Sequence, residues 1–318
     1  MENQHVPVML DVVLEFLRPE KGQIIIDCTL GGGAYTYDIA KKVGAKGLVI
    51  ALDADEKAIK YNQVIINKKK IKNIVLYHEN FQNLSNIFKK EEIFTIGKKI
   101  SGIVFDLGLS SNQLADRRRG FSFQLDAPLD MAFSKDVDNV VATTEIVNKY
   151  KFKELFRVIR DYGEERYANS ISKAIIRARE EEEIKTTKEL VDIIAEAVPG
   201  KYRHAKIHFA TKTFQALRIE TNDELNALKT ALKSGLDNIK KGGKIVVLSF
   251  HSLEDRIVKN FFRDESKHCL CPKELPTCRC GHTKRVKILN KKIITPSLEE
   301  IKNNKRSRSA KLRAVEKI

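Results

Sequence analysis

Gln23–Val43 reads QIIIDCTLGGGAYTYDIAKKV, and the fold follows from how this stretch is parsed. Gln23-Ile24-Ile25-Ile26-Asp27 is a β-branched run that ends in an acid, which predicts a buried strand. Cys28-Thr29-Leu30-Gly31-Gly32-Gly33-Ala34-Tyr35-Thr36 follows directly, and Tyr37–Val43 has helical character. Strand, glycine turn and helix start form the layout in which a backbone approaches a nucleotide-type ligand closely. The dinucleotide fingerprint is incomplete, because its third glycine would fall at Thr36. The Gly-Lys-Ser/Thr of a phosphate-binding loop is also missing. Taken alone, the triple glycine is equally a tight turn.

The next units extend the pattern. Gly47–Asp53 is a second strand ending in an acid, followed by Asp55 and a helix from Glu56. An acid about twenty residues beyond a glycine loop suits the hydroxyls of a ribose. Ile74–Tyr77 predicts a third strand. Phe81, just after it, stands where a ring covers an adenine or joins the core. Ile103-Val104-Phe105 predicts a fourth strand, ending in Asp106 and leading into Ser110 and Ser111. The chain then turns basic at Arg117-Arg118-Arg119-Gly120 and aromatic at Phe121 and Phe123. Such a strand end is a plausible floor for a site that handles a nucleic-acid base. Strands alternating with helices at this spacing predict an α/β fold with a doubly wound, mainly parallel sheet.

After Met131 the period changes. Ile146, Val147, Tyr150, Leu155, Phe156 and Ile159 recur at helical spacing, as do Ala168, Ile171, Ile175 and Ile176, then Leu190, Ile193 and Ile194. Thr186-Thr187-Lys188-Glu189 is a capping box. Thr221-Asn222-Asp223-Glu224 reads as another, opening a helix through Ile239. Ile245–Ser249 returns to strand character. The expected organisation is therefore a discontinuous α/β domain, 1–111 with 208–318, interrupted by an all-helical insertion over 112–207 that serves substrate recognition.

Composition narrows the partners. The 318 residues carry a net charge of +16, with a pI near 9.5. An excess of this size favours a polyanionic partner such as nucleic acid. From Gly281 onward there are 12 Lys and Arg against 3 Asp and Glu, and Lys305–Arg313 reads as an RNA-contacting arm, disordered or not. No apolar run reaches membrane-spanning length, and Met1–Leu17 lacks the basic start of a signal peptide. With five cysteines, this points to a reducing, cytoplasmic setting. His204 and His208 have no further ligands nearby, so no metal is read there. Cys269-x-Cys271 and Cys278-x-Cys280 offer four thiols, but at a tighter spacing than the usual zinc pairs, and no metal is assigned. His251, with Ser249 or Ser252, lacks the Gly-x-Ser-x-Gly elbow of a hydrolase.

Longer motifs add to this reading. DCTLGGG, FDLGLSS-x-QL-x4-RGFSF, D-x-PLDM, YGEER-x-A, TFQALRIE-x-NDEL, SFHSLEDRIVK and KRSRSAKLR occur in this order from residue 27 to residue 313. The glycine loop, the acid after the second strand and the acid-bearing fourth strand resemble the class I S-adenosylmethionine-dependent methyltransferase core. The chain as a whole resembles the RsmH (MraW) family of small-subunit rRNA cytosine-N4 methyltransferases. The resemblance implies methylation of the exocyclic N4 of a cytidine in 16S rRNA, near the decoding centre, with S-adenosyl-L-methionine as cofactor. It implies cofactor contacts from Gly33, Ala34, Tyr35, Asp53, Phe81, Asp106 and Gln113. Asp106, Ser110 and Ser111 are the candidates for accepting charge or a proton at N4, with Phe121 or Phe123 stacking on the base. The family usually has Gly-His where this chain has Ala34-Tyr35, and proline at the positions of Asn112 and Phe209. If position 34 needs positive φ, its alanine carries a cost. The resemblance also implies rRNA of the small ribosomal subunit as substrate, and the oligomeric state is open between monomer and homodimer.

Overall fold

The structure is a computed structural model that describes residues 7–90, 99–110, 113–114, 116, 118–134, 141–272, 274–275 and 277–318. It divides into two compact units, Met1–Gly108 with Leu225–Ile318, and Leu109–Glu224.

The first unit is built on seven strands: β1 Ile24–Asp27, β2 Leu48–Asp53, β3 Ile74–His78, β4 Ile100–Asp106, β5 Ile239–Ser249, β6 Val286–Ile288 and β7 Lys311–Lys317. Their order across the sheet is β3-β2-β1-β4-β5-β7-β6. β1 pairs in parallel with β2 and with β4, β2 with β3, and β4 with β5. Only β7 runs antiparallel to its neighbours, β5 and β6. The central strands are buried on both faces, which explains their near-continuous apolar sequences. Side chains still alternate. Ile24, Ile26, Ile103, Phe105, Ile245 and Val247 enter one core layer, while Ile25, Val104, Val246 and Leu248 enter the other.

Strand order reverses direction between β1 and β4. Asp27 lies opposite Val104, and the Cys28 N–H donates to the Val104 carbonyl at 2.9 Å. The carboxyl ends of these two strands are therefore neighbours. A crevice at such a reversal is where ligands bind in doubly wound sheets.

The second unit is helical, with Ile146, Val147, Leu155, Ile159, Ile171, Ile175, Leu190 and Ile194 in one core. The capping box at Thr186 forms as its sequence predicts, Thr186 Oγ1 accepting from Glu189 N at 3.2 Å and Glu189 Oε2 accepting from Thr186 N at 3.0 Å. The unit extends beyond the expected 112–207. Thr211–Asn222 is a helix whose Phe214, Ala216 and Leu217 are buried in this same core. The second box does not form at Thr221. The helix runs on to Asn222, Asp223 closes it in the left-handed conformation with φ 46°, and the next helix starts at Glu224. The polar groups expected to cap are used elsewhere. Thr221 Oγ1 lies 2.7 Å from Thr143 Oγ1, and Asn222 Nδ2 donates to the Met131 carbonyl at 2.8 Å.

The basic tail is also a correction. Lys305–Ser309 is a short 3-10 turn and Lys311–Lys317 is β7, so KRSRSAKLR is folded rather than a free arm. Leu312 and Ala314 are fully buried, and Arg313 makes a bidentate pair with Asp255 at 2.6 and 3.2 Å. Lys305 and Arg308 remain exposed. Deleting residues 305–318 would strip the β5 edge and remove these buried side chains. The expected outcome is loss of the cooperative thermal transition, followed by circular dichroism. A dispensable RNA arm would instead leave that transition unchanged.

Candidate active site

The site is assembled at the carboxyl ends of β1, β2 and β4. Asp27 is fully buried. Its Oδ1 accepts from Thr29 N at 3.1 Å and its Oδ2 from Thr36 Oγ1 at 2.6 Å. The Thr29 hydroxyl in turn accepts from the Asp106 backbone N–H at 2.7 Å. This relay fixes the first turn of the loop against the end of β4.

Gly33 is the N-cap of the Ala34–Val43 helix and adopts φ 82°. A Cβ there would lie 2.2 Å from Asn62 Oδ1 and 2.6 Å from the Tyr37 ring, so both backbone and packing require glycine. Ala34 is the first helical residue, and the positive φ belongs to position 33 instead. The alanine therefore carries no backbone penalty. Tyr35 is buried in the core, and its hydroxyl donates to the Val8 carbonyl. Its ring is committed to packing, which leaves the backbone N–H groups of the first helical turn to face a ligand. Asn62, on the Glu56–Lys69 helix, holds the loop from behind. Its Nδ2 donates to the Gly31 carbonyl at 2.9 Å, and its Oδ1 accepts from Tyr37 Oη at 2.7 Å.

Asp53 ends β2. Its Oδ2 accepts from Gly31 N and its Oδ1 from Asp55 N, both at 2.8 Å. Burial, with the charges of Asp55 and Asp27 behind it, raises its carboxyl to about 6. Each oxygen keeps a lone pair for a further donor. Phe81 lies on a 3-10 turn beyond β3, half-buried, its ring edge-on to Phe105 of β4 at 5.9 Å.

Asp106 closes β4. Burial, then the Asp27 and Glu254 charges, push its carboxyl up to about 8. Its Oδ1 is buried without a hydrogen-bond partner among the described residues. Such an orphan acceptor costs stability unless something donates to it. Glu254 is itself buried, and its Oε2 accepts from Phe250 N at 2.8 Å and His251 N at 3.3 Å. His251 caps the Ser252–Glu265 helix through Nδ1, which accepts from Glu254 N at 3.4 Å. Its Nε2 is 3.1 Å from Glu254 Oε1 but not aligned for a hydrogen bond. Ser249 Oγ donates to the Lys311 carbonyl, so it is not poised as a nucleophile.

Ser110 and Gln113 belong to the second unit. The Ser110 N–H donates to Gln113 Oε1 at 2.9 Å, and Ser110 Oγ accepts from Gln113 N at 3.2 Å, a reciprocal lock that shapes the turn. Ser111 lies outside the described residues. In the same unit Phe121 is buried, with Phe133 stacked on it at 5.6 Å and the Arg119 guanidinium over its ring at 5.0 Å. The ring is only 7% exposed, which leaves little of it for the expected stacking on a base. Phe123 stacks on His208 at 4.6 Å and meets Phe214 edge-on. Gly120 of RGFSF has φ 65°, and a Cβ there would lie 2.3 Å from the Pro128 carbonyl. This motif and D-x-PLDM thus fold tightly against each other.

Sequence reasoning passed over Asp27, Thr29, Asn62 and Glu254. Asp27 had a signal, an acid closing a wholly apolar strand. Asn62 had none, because nothing in a mid-helix asparagine reveals that it faces the loop.

The Asp106 carboxyl has a pKa above its ordinary 3.8. It therefore costs the fold nothing at low pH and destabilises increasingly as pH rises through about 8. Asp106→Asn is expected to raise the thermal midpoint of the ligand-free protein by a few degrees at pH 8, with no gain near pH 4. Paired melting curves across this range check it.

Residues 2–318 match the family model described as the MraW methylase family. Ribosomal RNA small subunit methyltransferase H of Heliobacterium mobile is 43% identical over 318 residues, covering 100% of both chains. Its namesake from Caldicellulosiruptor saccharolyticus is 46% identical over 315 residues, covering 99% of each, and that of Clostridium botulinum strain 657 is 42% identical over 318 residues, covering 100% of each. With a family match along nearly its whole length, carried on a seven-stranded methyltransferase sheet, the chain belongs to the MraW methylase family.

Proposed function

We propose that this protein transfers a methyl group from S-adenosylmethionine to the exocyclic N4 of a cytidine in 16S rRNA, near the decoding centre of the small ribosomal subunit. Membership of the family makes it an S-adenosylmethionine-dependent rRNA methyltransferase, as its relatives are named. The observation that carries the finer reading is Asp106, a raised carboxyl with an orphaned buried oxygen at the strand reversal.

The residues present fit the cofactor. The side-chain-free backbone of Gly31–Gly33 and the first turn of the Ala34–Val43 helix would take its amino-acid end. The spare lone pairs of Asp53 would take the ribose hydroxyls, and Phe81 the adenine. Asp27, Asp53, Asp106 and Glu254 make this crevice acidic within a protein of net charge +16. That charge pattern suits a ligand carrying a positive centre. The bound sulfonium supplies an electrophilic methyl group.

Cytosine N4 is a weak nucleophile because its lone pair is delocalised into the ring, so holding it in line is a large part of the task. The S–CH3 bond breaks as N–CH3 forms, and N4 must shed a proton. On this reading Asp106 would accept that proton. A cation beside it favours the ionised carboxylate, and a proton affinity raised towards the working pH suits a general base.

The rRNA would meet the helical unit. There Arg166 lies over Tyr167 at 4.6 Å and Tyr202 at 4.9 Å, and Arg166, Tyr167, Lys201, Tyr202 and His204 line one surface pocket. Guanidinium planes and aromatic rings are what unpaired bases stack on. No helix among the described residues is long and apolar enough to cross a membrane.

Small ribosomal subunits lacking the modification, incubated with methyl-labelled cofactor and digested to nucleosides, are expected to yield N4-methylcytidine. Label in any other nucleoside overturns the N4 reading. Asp106→Asn is expected to slow transfer by roughly 10²-fold or more at saturating cofactor. Asp53→Ala is expected to weaken cofactor binding by about tenfold or more, read by calorimetry. Unchanged binding would remove Asp53 from the ribose contact.

A further inference from the structure

Between the Ser252–Glu265 helix and β6, the chain makes an excursion that leaves and returns at one place. The Arg285 N–H donates to the Glu265 carbonyl at 2.8 Å, and His282 Nε2 lies 3.1 Å from the Asp264 carbonyl. Among its described residues this loop has no apolar core of its own, since Leu270 is 45% exposed and Leu275 41% exposed. A short segment without a core needs a cross-link or a metal to hold a defined shape.

Four thiols occupy its centre. The sulfur atoms of Cys269, Cys271, Cys278 and Cys280 all lie within 4.8 Å of one another. Three of the separations are 3.4 Å (Cys269–Cys278), 3.5 Å (Cys278–Cys280) and 3.7 Å (Cys269–Cys280). They form a nearly equilateral triangle. Four sulfurs at the usual Zn–S length of about 2.3 Å on a tetrahedron are separated by about 3.8 Å. Two disulfides would instead draw the sulfurs into two pairs at about 2.05 Å, whereas these thiols are unpaired and free.

The backbone reinforces the arrangement. Cys271 N points to Cys269 Sγ at 3.3 Å and Arg279 N to Cys271 Sγ at 3.3 Å. Leu270 N and His282 N point to Cys280 Sγ at 3.4 and 3.5 Å. N–H groups turned toward sulfur stabilise thiolate over thiol. Lys267, Arg279, Lys284 and Arg285 flank the cluster in sequence.

We propose that Cys269, Cys271, Cys278 and Cys280 bind one structural zinc ion, which staples this loop to the end of the Ser252–Glu265 helix. The four thiols lose their protons to solvent as the ion binds, and no electron is transferred. With four sulfur ligands the site is closed, so the ion takes no part in methyl transfer. The fifth cysteine, Cys28, is buried after β1 and lies outside the site.

The test uses the full chain purified from zinc-supplemented cells under reducing conditions without chelators. Elemental analysis is expected to give about one zinc per chain, and X-ray absorption to give four sulfurs at about 2.3 Å. Cys269→Ser with Cys278→Ser is expected to cut the zinc content at least tenfold and to speed amide exchange within 266–284 while the sheet stays protected. Metal-free wild type with four titratable thiols, two disulfides, or stoichiometric iron in place of zinc would each overturn the proposal, as would undiminished zinc in the double variant. All of these read metal rather than turnover, so they stand apart from the methyl-transfer assay.

Discussion

Everything at the candidate site depends on one buried carboxylate. Asp27 accepts from Thr29 and Thr36 while wholly shielded from water. Through the Thr29 hydroxyl it reaches the backbone of Asp106. Three elements are thereby set in one geometry: the end of β1, the start of the Ala34–Val43 helix and the end of β4. A buried acid of this kind is expensive, and burial raises the Asp27 carboxyl above its ordinary value. Hydrogen bonds to the two threonines offset part of that cost. The same carboxylate disfavours a second charge at Asp106, so the element that holds the site together also tunes its central acid.

The sheet was legible because its chemistry is local. A β-branched run ending in an acid, repeated along the chain with helices between, leaves few alternatives to parallel strands. β1 to β4 fall where that pattern puts them. β6 and β7 were not legible for an instructive reason. Lys311-Leu312-Arg313-Ala314-Val315-Glu316-Lys317 alternates as a strand with a charged face should, but its Lys and Arg content makes it look like a solvated arm. What turns it into a strand is non-local. The exposed edge of β5 offers unpaired backbone groups, and Asp255 neutralises Arg313. The end of the insertion was hidden similarly. Thr221-Asn222-Asp223-Glu224 satisfies the capping pattern, yet Thr143 and Met131 claim its side chains first.

Side-chain direction was harder to read than placement. Tyr35 follows the glycine loop, as a cofactor contact should, but helical geometry turns its ring into the core. Phe121 sits in an arginine-rich loop, which suggests an exposed platform, yet Arg119 and Phe133 cover it. Neither direction follows from hydropathy pattern alone. The ring of Tyr35 follows a core built from distant segments, whereas Phe121 is covered by Arg119 and Phe133 of its own loop.

The electrostatic layout unites the two halves of the functional reading. A basic surface attracts a polyanion without regard to sequence, and by itself it would also repel a cationic cofactor. The acids that resolve this conflict stand at strand ends, where the sheet has drawn them together and away from the surface lysines. Asp53 and Asp106 are held partly neutral by burial. A ligand with a positive centre then restores their ionised form and is bound more tightly for doing so, because each shift in proton affinity is also a shift in binding free energy.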